Sequence, residues 1–219
     1  MKEAKILSIQ VGLPKILNGA ETTISTEKPW TTSIFKTVLC GPAWLGKLNL
    51  DGDAQADLTV HGGLHKAINV YPSEHYTYWK QELHLSEMPY GAFGENFTIC
   101  GLLEDEVCIG DVFKVGGAVV QISQPRQPCW KIERRWGVKD FSLRIKQTGK
   151  TGWYFRVLKE GYVETGNAFA LMGRPFPQWT VAMSYVIRRN RMTDVKTAQE
   201  LAQCPALSPR WQENLISMK

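Results

Sequence analysis

Short apolar-alternating runs, broken every few residues by Gly, Pro, Asn or Asp, fill the chain from Ala4 to about Phe176. Residues 6–11, 32–40, 67–71, 95–99, 111–115, 118–123 and 153–158 read as strands. Asp51-Gly52 and Gly116-Gly117 are turn signals between such runs. Strands at this spacing predict an all-β barrel or sandwich. Two helices interrupt it. Pro72 can open the first, because a first-turn proline loses no needed N–H, and Tyr76, Trp79 and Leu83 share one face at helical spacing. The second lies within residues 130–147.

The pattern changes after Pro177. Residues 181–189 alternate ambiguously between strand and helix. Residues 194–203 read as helix, with Val195, Ala198 and Leu201 roughly in phase. Ser208-Pro209 is a cap and first-turn pair for a last helix over 210–218. Short helices bury little surface alone, so these three should pack on the barrel or on a partner subunit, and a homodimer is one such arrangement. The chain thus divides into a β-barrel domain, 1–176, and a C-terminal helical extension, 177–219.

Composition narrows the class. The chain has 219 residues, 43% of them apolar, with eight tryptophans, enough for one medium domain with a real core. The net charge of +5 suits an anionic small ligand, but the basic residues are spread out, and no nucleic-acid motif is present. The first residues, MKEAKILSIQVG, lack the apolar region of a signal peptide. No apolar run approaches the ~20 residues that span a bilayer. No membrane association is expected, and a cytoplasmic location is the default. Five irregularly spaced cysteines argue against a disulfide framework, and the absence of a CxxC pair argues against structural zinc.

The segment 121–130, QISQPRQPCW, carries the strongest chemical signal. Its prolines bias Gln124 and Gln127 away from helix, so Cys129 sits on a stiff connection. Arg126 lies three residues before Cys129, and a nearby cation favours thiolate, the form that ligates metals or attacks electrophiles. A small buried hydrophobe is the plainer role for a free cysteine. His61 and His65 have helical ligand spacing, but Gly62-Gly63 between them disfavours helix. Those glycines suit close backbone approach to a ligand. With His61 and Lys66 they make an anion cradle or, equally, a solvated turn. In FGENF, 93–97, Asn96 can offer paired donor and acceptor groups to a heterocycle edge, or the segment is a plain turn. Gly166-Asn167 reads as a turn, and Arg134-Arg135 as a solvated helix face. GPAWLGKL, 41–48, nearly matches a phosphate loop but ends in Leu48 where Ser or Thr should face the metal ion. No GxGxxG is present, so a built-in nicotinamide or flavin site of Rossmann type is not expected. Cys129 and His61 together leave a thiol hydrolase open, with nothing in the sequence to fix their geometry.

Five segments in order, QADLTVHGGLHKAINVYPSEHY at 55–76, GAFGENFTICGL at 91–102, IGDVFKVGG at 109–117, PRQPC at 125–129 and GYVETGNAF at 161–169, resemble the MOSC family. The spacing is similar to the YiiM type within it, and the resemblance covers nearly the whole chain. It implies a MOSC-like β-barrel with a three-helix extension that binds the molybdenum cofactor, a pterin dithiolene bearing a phosphate. It makes Cys129 the molybdenum ligand, since the metal takes soft sulfur donors. It gives His61, Lys66 and Arg126 to the cofactor's anionic groups, and Asn96 to the cofactor as well. The implied activity is reduction of N-hydroxylated bases such as 6-hydroxylaminopurine, with electrons from a separate reductase. The alternative is a cofactor carrier or a sulfur-transfer module with a persulfide on Cys129.

Overall fold

The computed structural model describes residues 3–18 and 28–217. Eight strands form one curled sheet: β1 (Lys5–Val11), β4 (Thr37–Val38), β6 (Ile68–Pro72), β7 (Phe97–Cys100), β8 (Val112–Val115), β9 (Ala118–Pro125), β10 (Trp153–Lys159) and β12 (Phe169–Gly173). Their order is β12-β8-β9-β10-β6-β7-β1-β4. All neighbours are antiparallel except β6 and β7. A parallel pair needs a crossover, and helix α1 (Glu74–Glu82) supplies it. The sheet curls until β1 meets the start of β12. Lys5 bridges Ala168, and Ile6 N–H donates to the Asn167 carbonyl at 3.0 Å. Two short ribbons complete the β structure, β2 (Lys15–Leu17) with β3 (Trp30–Thr32), and β5 (Ala43–Leu45) with β11 (Gly161–Val163).

Period-two alternation sets what each face carries. On β10, Trp153 and Phe155 are buried in the core with Ile68 and Val70 of β6 and Ile122 of β9. The intervening Tyr154 lies opposite Asn69 on one side and Gln124 on the other. That row faces away from the apolar core and forms the floor of the site.

A second apolar cluster supports the site from behind. It joins α1, α2 (Lys131–Trp136) and α3 (Phe141–Thr148) to Tyr71 and Phe93, whose rings stack with centroids 4.0 Å apart. Trp79 Nε1–H donates to Tyr71 Oη at 2.7 Å, and Tyr71 Oη–H donates to the Lys150 carbonyl. These bonds hold the Tyr71 ring against which Phe93 stacks.

The C-terminal helices are α4 (Val181–Arg189), α5 (Val195–Ala202) and α6 (Pro209–Ile216). Side chains of Thr180, Asp194 and Ser208 cap them by accepting from Met183, Thr197 and Trp211 N–H groups. Tyr185, Leu201 and Trp211 enter the same apolar cluster as the barrel. Packing on the barrel is therefore the arrangement present.

Several expectations need correction. Residues 32–40 are not one strand but the end of β3, a connection and β4, and Ser33, Ile34 and Lys36 of that connection line a cavity. Pro72 closes β6 instead of opening α1, whose first residue is Glu74. The helix expected within 130–147 is two, because Gly137 adopts φ 66° and ends α2. The ambiguous run 181–189 is helical, with its cap at Thr180. Met218, at the expected end of the last helix, lies outside the described residues. Arg135 is half-buried and not solvated, with Nη1 donating to the Gly91 carbonyl at 2.6 Å and also to the Ile34 carbonyl.

Candidate functional site

Cys129 follows β9 on the connection to α2 and is partly exposed. It stands where two cavities adjoin, and both share Ala56, His61, Lys66, Gln127, Lys131 and Tyr154 with it. The inner cavity has a volume of about 90 Å³ and the outer about 680 Å³. The outer one lies within the range that holds small organic ligands. Cys129, His61, Lys66, Asn96 and Arg126, separated by up to 68 positions, all line the inner cavity.

Arg126 is 5% exposed. Its backbone N–H pairs with the Gly152 carbonyl at 3.0 Å, which seats it beside β10. Its Nη2 donates to the Phe93 carbonyl at 2.6 Å, so the guanidinium braces the FGENF loop. Its Nη1 is buried with no partner, as is Gln127 Nε2. Buried donors without acceptors are costly, and two of them on one cavity wall fit an anionic or carbonyl-bearing ligand.

The HGG segment is a tight loop. Gly62 has φ +76°, and a Cβ there would stand 2.5 Å from Gln55 Oε1. Only glycine fits that position without displacing Gln55. The loop turns Lys66 back, so that its Nζ donates to the Val60 carbonyl at 2.7 Å. Burial, with Arg210 nearby, lowers the Lys66 pKa. His61 is pushed down to about 4, first by burial and then by Lys131, Lys66 and Arg126, with Asp57 opposing. At neutral pH the imidazole is therefore uncharged, and the positive field comes from the lysines and Arg126. His65 lines neither cavity. Among the described residues no group of three or more His, Cys, Asp or Glu is placed to hold a metal ion.

Asn96 is 3% exposed and its amide is engaged within the protein. Nδ2 donates to Asp53 Oδ2 at 2.8 Å and to the Gln10 carbonyl, and Oδ1 accepts from Asn69 N–H at 3.1 Å. Its place is a tie that holds Asp53 against the inner wall. The neighbouring Glu95 accepts from Gly91 N–H, Phe93 N–H, Thr98 Oγ1–H and Tyr76 Oη–H, and so organises the loop.

Sequence reasoning missed an ion pair in the inner cavity. Lys36 Nζ bonds Asp53 Oδ1, and their side chains are 7% and 0% exposed. Burial lowers the Lys36 pKa against the attraction of Asp53. Lys36 sat inside an apparent strand, and only the polar run DGDAQAD hinted that a carboxylate faced something. Tyr154 was also missed. Burial raises its pKa while the adjacent Arg126 opposes that rise. The outer cavity adds Arg188 of α4 with Arg210 and Trp211 of α6.

The family model described as the MOSC domain matches residues 57–170, a span that contains the HGG loop, FGENF and Cys129. This chain belongs to the MOSC domain family. Its fold is that of the YiiM group: the crystal structure of YiiM from Geobacillus stearothermophilus is 37% identical, covers 98% of this chain and 100% of its own, and superposes with a TM-score of 0.81. Protein YiiM of Escherichia coli is 36% identical over 184 residues, 82% of this chain and 81% of that one. A Gibberella moniliformis protein named a reductase is 34% identical over 178 residues, 80% of this chain but 32% of the longer relative. The MOSC family is associated with the molybdenum cofactor. No helix of the described residues is long and apolar enough to cross a membrane.

Proposed function

We propose that this MOSC protein is a molybdenum-cofactor-dependent reductase of N-hydroxylated substrates such as 6-hydroxylaminopurine. The observation that carries the proposal is the setting of Cys129. A thiol stands between a small polar chamber and a larger cationic one, beside a buried guanidinium with an unfilled donor. That donor set fits the cofactor: soft sulfur for the metal, and cations with free N–H groups for the phosphate and pterin.

In this reading Cys129 Sγ holds the metal. Arg126 and Lys131 face the anionic groups, and Lys66 stands over them from the HGG loop. Neutral His61 offers a ring nitrogen without adding charge. The bound cofactor supplies the two-electron change. The reaction balances as R–NHOH plus two electrons and two protons giving R–NH2 and water. Lys36 Nζ, held by Asp53 on the inner wall, is positioned to give a proton to the departing hydroxyl, and burial eases that transfer. Electrons come from a separate reductase, since the sequence carries no Rossmann fingerprint.

The test is turnover. Molybdenum-loaded protein with an artificial reductant should convert 6-hydroxylaminopurine to adenine, and a nicotinamide cofactor alone should not support it. Cys129→Ala should abolish the conversion with the far-ultraviolet dichroism unchanged. Inactivity of loaded wild type on several N-hydroxylated compounds would reject the reductase reading in favour of a cofactor carrier.

A further inference from the structure

The outer cavity has a wall that the barrel does not build. Arg188 of α4 and Arg210 of α6 line it beside Lys66 and Lys131. Arg210 Nη1 donates to the Thr59 carbonyl at 2.9 Å, which ties α6 to the loop before His61. Arg188 stacks on Trp211, its guanidinium carbon 5.0 Å from the ring centroid, and Nη2 reaches Asn214 Oδ1 at 3.4 Å. Its Nε is buried with no partner. Burial lowers the Arg188 pKa, the positive Arg191 and Arg210 lower it further, and Tyr185 opposes them. Among the described residues Asp57 is the one carboxylate on this cavity, and its Oδ1 accepts from Thr59 N–H and Oγ1–H.

Like charges packed together around an unfilled donor cost free energy unless an anion joins them. Trp130, 49% exposed, stands on the same cavity, with the Arg134 guanidinium 4.7 Å from its ring centroid, which adds a further cation beside the cavity wall. We infer that the C-terminal helices build a phosphomonoester subsite from Arg188 and Arg210 in the cavity beside Cys129. This gives the extension a binding role. Two sources share the chemistry: a substrate taken as its nucleoside phosphate, or the phosphoryl end of the cofactor. The substrate source rests on the reductase reading, whereas the subsite itself does not.

Cofactor-free protein titrated calorimetrically with adenosine monophosphate and with adenosine provides the test. Wild type should prefer the phosphate by about tenfold or more, with a strong salt dependence, because charge-assisted bonds to phosphate are at stake. Arg210→Gln, at an exposed position, and Arg188→Gln should each reduce that preference with the far-ultraviolet dichroism unchanged, and Arg188→Lys should retain part of it. The molybdenum and pterin content of the double Gln variant separates the sources. Lost content assigns the group to the cofactor, and full content with lost preference assigns it to a nucleotide substrate. Equal affinity of wild type for both ligands, together with full cofactor content in the variants, would overturn the subsite. Neither result bears on Cys129, so the reductase reading is tested separately.

Discussion

His61 should make the folded protein acid-sensitive by a calculable amount. Its pKa is held at about 4, against 6.5 for a free side chain, by burial and by Lys131, Lys66 and Arg126. Between those values the unfolded chain binds a proton that the folded one refuses. Stability therefore falls as pH drops from 6.5 to 4 and levels off once both states are protonated. At roughly 1.4 kcal/mol per tenfold difference in proton affinity, the loss approaches about 3 kcal/mol. Denaturant unfolding of wild type and His61→Gln at pH 7 and pH 4 isolates this contribution, because every other titrating group is common to both. The fall in unfolding free energy should be smaller in His61→Gln by up to about 3 kcal/mol. An anion bound among the same cations would offset their charge and raise His61. Ligand binding near pH 5 should then take up protons, visible as a dependence of the calorimetric heat on the buffer. Identical acid sensitivity of the two proteins would refute the picture of a neutral imidazole inside a cationic pocket.

Two further substitutions probe the frame. Gly62→Ala places a methyl group against Gln55 at a left-handed position, and should cost about 1–2 kcal/mol in chemical denaturation while loosening the loop that presents Lys66. Arg126→Met removes the brace on the Phe93 carbonyl and the free donor together; it should lower stability by about 1–3 kcal/mol and cofactor affinity by about tenfold to a hundredfold, read by thermal unfolding and by pterin retention on gel filtration.

The sequence carried the parts of the site that announce themselves locally. Two prolines mark Cys129 as a connection residue, and paired glycines mark the loop between His61 and Lys66. Strand alternation was legible wherever one face met the core, as in β8, β9 and β10. What could not be read depends on distant chain segments meeting. Lys36 and Asp53 form one buried pair across a run that alternates like a strand. Arg188 and Arg210 reach the cavity only because α4 and α6 fold back on the barrel. Glu95 and Asn96 spend their polar groups on neighbouring loops, which a local motif cannot reveal. The run 181–189 looked ambiguous because its helical character is set by the Thr180 cap and by Tyr185 packing into the core.

The central claim is that Cys129 holds molybdenum, and metal content tests it most directly. Protein produced in cells with an intact molybdenum cofactor pathway should carry close to one molybdenum and one pterin per chain, measured by mass spectrometry of the metal and fluorescence of the released pterin. Cys129→Ser should lose most of the molybdenum, because a hydroxyl is a poor replacement for a soft thiolate. Cys40→Ser, at an exposed cysteine that lines neither cavity, should keep its full complement. Full molybdenum occupancy in Cys129→Ser would contradict the account.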